Sequence, residues 1–281
     1  MRTAFVVLTY NRSDALLTVL RGLAPQCGGE DRVLIADDGS RPEQVRMLRE
    51  GLPRFQCPVR HIWHPDVGFT ASRARNLGAS HAQADYVVFL DGDCVPNRDF
   101  VAHHRTLAQA GHFVNGSRVL LSERLSKRAI QGEIDLSRLT ALEWVRLRIA
   151  GDANKLTHLL YWPDAPGRVQ TAFRWKGLRS CNLGVWYRDL EAVNGFDESF
   201  SGWGHEDADL GLRLHHHGCR RKDGFLATEV FHLWHPEHSR GGEAENRERV
   251  EQRIQGSQVR AERGLAELSG APPAIVTLLN E

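Results

Sequence analysis

Short apolar runs alternate with stretches of helical spacing over the first 120 residues. The runs are largely β-branched and predict strands at 3–10, 32–38, 59–63, 85–91 and 112–119. The stretches between them predict helices at 14–23, 42–51 and 70–84. Because each strand is nearly continuous in apolar residues, both faces of the sheet should be covered. The pattern therefore predicts an α/β fold with a mainly parallel central sheet flanked by helices.

The pattern changes beyond residue 120, and we divide the chain into four segments. Helical spacing at 123–131, 139–151 and 154–162 predicts a helical insertion, and residues 177–240 return to turns and short strands. The charged stretch 242–268 has sparse apolar positions, as in a docked or dimer-forming surface helix. The expected segments are an α/β half (1–117), a helical insertion (118–176), a part completing the domain (177–240) and a helical tail (241–281).

Polar clusters follow three of the predicted strands. They are Thr9-Tyr10-Asn11-Arg12, Asp37-Asp38-Gly39-Ser40 and Asp91-Gly92-Asp93. Ligands bind outside the carboxyl ends of strands in such sheets, so these groups are expected to share one rim.

Asp91 and Asp93 flank a glycine directly after a buried strand. Like charges this close repel unless a cation or a hydrogen-bond donor lies between them. Carboxylates suit Mg²⁺ or Mn²⁺, which also bind phosphate oxygens, and Gly92 would let the backbone turn sharply. An ordinary Asp-rich turn is the alternative.

Two histidines in "FHLWHPEH", His232 and His235, offer imidazole ligands. Imidazole beside carboxylate favours Mn²⁺ over Mg²⁺. If this stretch is extended, the two side chains point to opposite faces and only one faces the site. A partly buried histidine with a structural partner is the alternative for either one.

Glu206 and Asp207 lie in "GWGHEDADL", beside Trp203. Acidic residues in a first helical turn commonly complement the helix dipole, which is the structural alternative. The flat indole of Trp203 is a platform for a sugar ring, and a carboxylate beside it could take a proton from a sugar hydroxyl.

Composition narrows the class of protein. The chain has 281 residues and no apolar stretch near the roughly 20 residues needed to cross a bilayer, and its start lacks a signal-peptide core. Five cysteines without a Cys-x-x-Cys pair suit a reducing cytosol. We expect a cytoplasmic protein, with no nucleic-acid partner; the oligomeric state stays open.

Charge is distributed unevenly. Residues 118–179 hold twelve basic and six acidic residues, a net charge of +6, which leaves −5 for the remainder. A solvated helical surface is one interpretation. The other is a face for an anionic acceptor or for the inner surface of a membrane.

The ordered motifs "VVLTYNR…ADDGS…GFTASRARNLGASHAQADYVVFLDGDC…GWGHEDADL…FHLWHPEH" resemble family 2 inverting glycosyltransferases of the GT-A fold. The later part resembles the galactosyltransferase-type segment shared with chondroitin polymerases and β-1,4-galactosyltransferases. The resemblance covers about residues 3–117 and 177–240. A histidine at position 205, where the galactosyltransferases have glycine, and the basic insertion depart from it.

The resemblance implies a role for each matching residue. Asp207 would be the catalytic base, with Glu206 holding hydroxyls of donor or acceptor, and Trp203 would be the acceptor platform. Asp93 and His235 would bind Mn²⁺ (or Mg²⁺), with His232 as a second, softer ligand. The donor-binding residues would be Thr9, Tyr10, Arg12, Asp37, Asp38, Arg73, Arg75, Asn76 and Asp91.

The implied reaction moves a hexose or N-acetylhexosamine from a UDP-sugar to a glycan or lipid-linked glycan. A sugar nucleotidyltransferase is an alternative, although "LTYNRSDALL" lacks the Gly-rich basic loop expected to hold a triphosphate. A metal-dependent hydrolase usually needs three protein ligands. A carbohydrate-binding module would explain Trp203 but not the acids.

Overall fold

The computed structural model describes residues 1–200, 202, 204–236, 242–270 (backbone alone for 269 and 270) and 273–280. Within these residues, twelve strands are described. They are β1 (Thr3–Thr9), β2 (Arg32–Asp37), β3 (Val59–Trp63), β4 (Tyr86–Asp91), β5 (Cys94–Pro96), β6 (His112–Asn115), β7 (Ser117–Leu120), β8 (Val169–Gln170), β9 (Asn182–Trp186), β10 (Arg220–Asp223), β11 (Glu229–His232) and β12 (Ile275–Leu278).

Nine α-helices are described in the same residues. They are α1 (Ser13–Leu23), α2 (Pro42–Gly51), α3 (Ala71–Ser80), α4 (Phe100–Leu107), α5 (Glu123–Ile130), α6 (Ala141–Ile149), α7 (Tyr187–Ala192), α8 (Glu206–His216) and α9 (Glu243–Ile254). Short 3-10 turns occur at Ala24–Gln26, Thr157–Leu159 and Leu265–Gly270.

Nine strands form the central sheet in the order β12-β3-β2-β1-β4-β9-β6-β10-β8. The neighbours β3, β2, β1 and β4 are all parallel, whereas β9 runs antiparallel to both β4 and β6. The carboxyl ends of the four parallel strands therefore meet at one edge. The predicted α/β architecture is confirmed.

Both faces of this sheet are buried, as the continuous apolar strands predict. Along β1, Phe5 and Val7 belong to one apolar cluster and Val6 to the other. Helices α1, α4, α5 and α6 contribute to the first cluster, and α3, α7 and α8 to the second. Alternate side chains of a strand point to opposite faces, so an unbroken apolar run is what two-sided burial requires.

A second, three-stranded sheet has the order β5-β11-β7. Strand β11 pairs antiparallel with β5, so His232 lies opposite Cys94. It also pairs parallel with β7, which sets Val230 opposite Arg118. This small sheet joins the turn after β4 to a segment about 140 residues later in the chain.

Three details of the predicted secondary structure are wrong. The strand expected at 112–119 is broken at Gly116, whose N–H donates to the Asn182 carbonyl oxygen, so that β6 and β7 join different sheets. The helix expected at 154–162 is only a 3-10 turn. The helical tail ends at Ile254, and β12 pairs with β3 at the sheet edge.

The four-segment division stays a prediction, although α5 and α6 do lie within 118–176. All five cysteines are free and buried. Among the described residues, no helix combines the length and the apolar character needed to span a membrane.

Candidate active site

Asp93, His232 and His235 converge beside the end of β4. The Nε2 atom of His232 lies 3.8 Å from one Asp93 carboxylate oxygen, and Nε2 of His235 lies 3.4 Å from the other. The Leu233 N–H donates to the Asp93 carbonyl oxygen at 2.8 Å. The pairing of β11 with β5 thus brings these distant parts of the chain together.

Both histidines face Asp93. Only one was expected to do so if the strand continued through His235, and that condition is not met. Strand β11 ends at His232, and the alternation of side chains does not continue to His235. The Nδ1 atom of His235 lies 2.8 Å from the carbonyl oxygen of Pro236, which can only accept a hydrogen bond. With Nδ1 held by this carbonyl oxygen, Nε2 is the ring nitrogen that faces Asp93.

These groups form a donor set suited to a divalent cation. Ligand atoms of Asp93, Cys94 and His232 lie within 4.8 Å of one another. Burial lowers the pKa of His232 despite the Asp93 charge, which favours the neutral imidazole that binds metals. Cys94 is fully buried, whereas His235 is partly exposed, and hard carboxylate with imidazole suits Mn²⁺.

Gly92 serves this site through close packing. Its N–H donates to the Leu8 carbonyl oxygen at 2.7 Å. A Cβ atom at this position would lie 2.7 Å from that same oxygen. The turn between Asp91 and Asp93 therefore needs glycine because β1 passes so near, rather than because of an unusual backbone angle.

Arg75 links the predicted donor and catalytic residues. From α3, its guanidinium donates to Asp91 at 2.9 Å and to Glu206 at 3.3 Å. Burial by itself would lower the pKa of Arg75, but the Asp91 and Glu206 carboxylates outweigh it and raise the pKa. The guanidinium also lies 5.4 Å from the centre of the Phe196 ring. Arg75 thus holds the end of β4 against the start of α8.

Asp207 carries the most perturbed carboxylate of the predicted site. Desolvation and the neighbouring Glu206 charge raise the pKa of Asp207 to about 7, against the opposing effects of the Ala208 N–H, Arg75 and Arg179. The Ala208 N–H donates to Asp207 Oδ1 at 2.7 Å. A carboxylate with a pKa near neutrality is well matched to accept a proton during a reaction.

The turn before α8 explains the departure at position 205. His205 has φ of +70°, in the left-handed region that favours glycine. Its ring packs 5.4 Å from that of Trp175. The histidine therefore occupies a glycine-like backbone position next to the two acids. Trp203, the predicted acceptor platform, lies outside the described residues.

Asp37 and Asp38 differ in their surroundings at the end of β2. The Asp37 carboxylate accepts from the Ser40 N–H at 2.8 Å and contacts His61 Nε2 at 2.8 Å. Asp38 accepts from the N–H and hydroxyl of Thr70 and lies 3.1 Å from His64 Nε2. Both carboxylates organise the loop at this rim.

The residues after β1 are arranged around the same rim. The Thr9 hydroxyl is buried and has no hydrogen-bond partner within the part of the chain that the structure describes. The Tyr10 hydroxyl donates to Asp66 at 2.9 Å, and Arg12 pairs with Asp14 at 3.2 Å. Tyr10 and Arg12 remain exposed enough to meet a ligand.

Arg73 and Asn76 are tied to the loop before α8. Arg73 lies 3.4 Å from the Glu198 carboxylate. The Asn76 amide donates to the Phe196 carbonyl and to Glu198, and accepts from the Phe196 N–H. These contacts give both side chains a structural role. Their contact with the donor stays a prediction.

Sequence reasoning missed three groups that shape the site. His64 follows β3, so the strand-end rule that selected Asp38 could have selected it too. No strand-end position or other sequence pattern marks Glu198 or Arg179 as site residues. They reach the site through loops whose course depends on the sheet order.

The arrangement puts a divalent-cation donor set and a raised-pKa carboxylate at one end of the sheet, joined through Asp91, Arg75 and Glu206. Solved structures share the fold of this chain. Staphylococcus aureus TarS 1–349 in complex with UDP-GlcNAc aligns with a TM-score of 0.63 at 14% identity, over 95% of this chain and 69% of that one. The mannosyltransferase PcManGT from Pyrobaculum calidifontis, in complex with GDP-Man and Mn²⁺, aligns at 0.51 with 18% identity, over 85% and 58%. The fold is that of the GT-A glycosyltransferases.

Sequence comparison identifies the family. The profile of "Glycosyl transferase family 2" matches residues 4–144, and that of "N-terminal domain of galactosyltransferase" matches residues 168–236. The chain therefore belongs to glycosyl transferase family 2, and the resemblance and the enzyme class expected from the motifs are confirmed.

Two curated relatives illustrate the degree of similarity. Chondroitin synthase of Escherichia coli is 27% identical over 247 residues, 80% of this chain and 34% of the relative. Validoxylamine A glucosyltransferase of Streptomyces hygroscopicus subsp. jinggangensis (strain 5008) is 30% identical over 224 residues, 76% and 51%. The chain thus spans about a third to a half of the length of these relatives.

Proposed function

We propose that this chain transfers a hexose or N-acetylhexosamine from a UDP-sugar to a hydroxyl of a glycan or glycolipid, with inversion at the anomeric carbon. The observation that carries the proposal is the Asp93–His232–His235 set, joined to Asp207 through Asp91, Arg75 and Glu206. A cation site and a base at one rim suit a reaction in which a diphosphate leaves and a hydroxyl loses its proton.

Asp93, His232 and His235 would hold the divalent cation, with Mn²⁺ favoured over Mg²⁺ by the imidazoles. When bound, such an ion neutralises charge on the leaving diphosphate. The complex of PcManGT with Mn²⁺ supports this assignment.

Asp207 would act as the general base. The acceptor oxygen forms a bond to the anomeric carbon, the bond to the UDP oxygen breaks, and the acceptor proton passes to Asp207. A single displacement without a protein nucleophile inverts the configuration. General-base assistance is worth about 10²–10⁴ in rate.

The donor would lie over the ends of β1, β2 and β4. Thr9, Tyr10 and Asp38 surround the expected nucleotide position, and Asp91 lies beside the cation site. The complex of TarS with UDP-GlcNAc supports a UDP-sugar donor. Arg12, Arg73 and Asn76 are included in the proposed donor site because they match the family motifs.

The insertion would meet a membrane surface that presents the acceptor. Leu142, Val145 and Ile149 form a stripe on α6 with exposures of 59%, 37% and 82%, and Arg146 and Arg148 lie beside it. Apolar side chains next to cations suit anionic bilayers. Ile149→Gln should reduce co-sedimentation with phosphatidylglycerol vesicles; unchanged binding, or equal binding to neutral vesicles, would contradict this.

The reaction is tested by incubating the protein with Mn²⁺ and a panel of UDP-sugars and measuring slow donor hydrolysis, which needs no known acceptor. One UDP-sugar should be hydrolysed faster than the rest. Asp207→Asn should lower that rate by at least about 10²-fold while UDP binding is retained. A near wild-type rate in Asp207→Asn would remove its assignment as the base.

Glu248→Gln is the matched control, since Glu248 is an exposed acid on α9. It should leave the rate unchanged. Absence of UDP binding by the wild-type protein would contradict the proposed donor altogether.

A further inference from the structure

A basic cavity opens beside the proposed catalytic site. Its volume is about 540 Å³, within the range of small-molecule sites. Five cationic side chains line it against one acid, and these six residues are Arg118, Lys155, Arg168, Arg179, Arg221 and Asp223. None of the six belongs to the donor site described above.

The cavity adjoins both halves of that site. Its wall at Arg179 lies on the loop leading into β9, and the Asp91 N–H reaches the Cys181 carbonyl oxygen of this loop at 3.4 Å. Its wall at Arg118 lies on β7, paired with the strand that ends in His232. A molecule in the cavity would therefore extend toward the space between the cation site and Asp207.

Among the residues that the structure describes, three of these cations have no carboxylate partner. Within the described ranges, no carboxylate oxygen lies within ion-pair distance of Arg118, Lys155 or Arg179, whereas Arg221 pairs with Asp223 at 2.7 Å. Arg168 donates to the backbone carbonyls of Trp162 and Asp223. Within the described part of the chain, the cavity thus holds more positive than negative charge, and three of its cations form no ion pair.

The positive charges of Arg118 and Arg179 lie close enough to Lys155 to affect its protonation. Burial, together with the Arg179 and Arg118 charges, lowers the pKa of Lys155, although Glu229 opposes this. Glu229 itself is buried and accepts from the Leu226 N–H. An anion placed among the three cations would relieve their repulsion.

Phe225 adds an apolar wall. Phe225 is 48% exposed, and the centre of its ring lies 5.8 Å from the Lys155 ammonium nitrogen. An exposed aromatic ring beside a cation is suited to a sugar whose ring packs on the apolar face and whose charged substituent meets the cation.

We infer that this cavity is the acceptor subsite and binds an acidic sugar, through a carboxylate or phosphate held by Arg118, Lys155 and Arg179. The inference rests on the proposed function, since it names the acceptor class for that reaction. Bidentate arginine pairing suits both kinds of anion.

The test uses matched sugars at saturating UDP and Mn²⁺. Binding of glucose is compared by calorimetry with glucuronate (the carboxylate arm) and with glucose 6-phosphate (the phosphate arm). At least one anionic sugar should bind 10-fold or more tightly than glucose, and the stronger arm identifies the anion. Equal binding of all three would overturn the inference.

Variants of the cavity cations test which side chains cause the preference for an anionic sugar over glucose. Arg179→Gln and Lys155→Gln should each reduce the anion-to-glucose affinity ratio by 5-fold or more, whereas Arg179→Lys should retain most of it. Lys127→Gln, at an exposed position of α5, is the control and should retain the full ratio. A similar loss in Lys127→Gln, or a parallel loss of UDP affinity in Arg179→Gln, would contradict an acceptor site.

The donor hydrolysis assay separates the two proposals. Hydrolysis without anion preference would overturn the acceptor subsite alone. Anion preference without hydrolysis of any UDP-sugar would leave an anion-binding cavity and remove the proposed transfer reaction.

Discussion

At the scale of single residues, the aspartates at the rim have different surroundings although their side chains are chemically identical. Asp37 is fully committed to Ser40 and His61, whereas Asp93 faces two imidazoles that present metal-binding nitrogens. Asp207 is distinguished by its desolvated carboxylate and its acidic neighbour. The contacts of each carboxylate, and not its residue type, separate a loop-organising acid from the proposed ligand and the proposed base.

The raised pKa of Asp207 predicts how activity depends on pH. Since a base must be deprotonated, donor hydrolysis should rise as the pH increases through about 7. Glu206→Gln removes a negative charge that raises this pKa, so the acidic limb of the profile should move to lower pH. The measurement is kcat/KM for UDP-sugar hydrolysis between pH 5 and 9.

Glu43→Gln is the control, since Glu43 is an exposed acid on α2. It should leave the acidic limb of the pH profile at its wild-type position. An upward shift in Glu206→Gln would show that Glu206 does not act on Asp207 through its charge.

At the scale of elements, buried ion pairs hold α8, the helix of the proposed base, in place. Asp209 of α8 pairs with Arg213 at 2.7 Å and with Arg253 of α9 at 2.5 Å. Arg253 also pairs with Asp197 at 2.9 Å, on the loop before α8. The face of α8 behind Asp207 is thereby fixed to α9.

Arg253→Leu should therefore destabilise the protein strongly. The substitution leaves buried Asp197 without its ion-pair partner and Asp209 with Arg213 alone. Removing one partner of a buried ion pair costs about 3–5 kcal/mol. Urea unfolding followed by circular dichroism measures the loss. Donor hydrolysis should also fall, because α8 carries Asp207.

Arg247→Leu is the matched control on the same helix, since Arg247 pairs with Glu251 at the surface. Its cost should be about 0–1 kcal/mol. Equal losses in the two variants would show that the buried network does not stabilise the packing of α9 on α8.

At the scale of the whole molecule, the proposed cation site joins parts of the chain about 140 residues apart. Asp93 follows β4 of the central sheet, and His232 ends β11 of the small sheet. An ion that binds only the folded chain stabilises it, by about 2–3 kcal/mol at a concentration 100 times its dissociation constant.

Mn²⁺ should consequently raise the melting temperature, and EDTA should reverse the increase. Asp93→Asn should abolish the increase because it removes the carboxylate between the two imidazoles. Asp135→Asn, at an exposed turn, is the control. A Mn²⁺-induced rise of wild-type size in Asp93→Asn, measured by differential scanning fluorimetry, would exclude Asp93 as a ligand.

Much of the fold could be predicted because its signals are local. The continuous apolar runs of β1, β2 and β4 identified a sheet covered on both faces, and their polar ends identified the rim. The break at Gly116 and the edge strand β12 could not be predicted. Both depend on which distant strand supplies hydrogen bonds, and not on the composition of the segment.

By itself, the sequence determined the sheet and the family, and it selected Asp93, the histidines and the acidic pair. Those features follow from side-chain period and from motifs a few residues long. Only the tertiary structure decided that both histidines meet Asp93 and that Arg75 connects Asp91 with Glu206. It also decided that cations without an ion-pair partner among the described residues gather in one cavity. The distances, burial and charge interactions at these places involve segments far apart in the chain. They therefore depend on the order of the strands in the folded sheets.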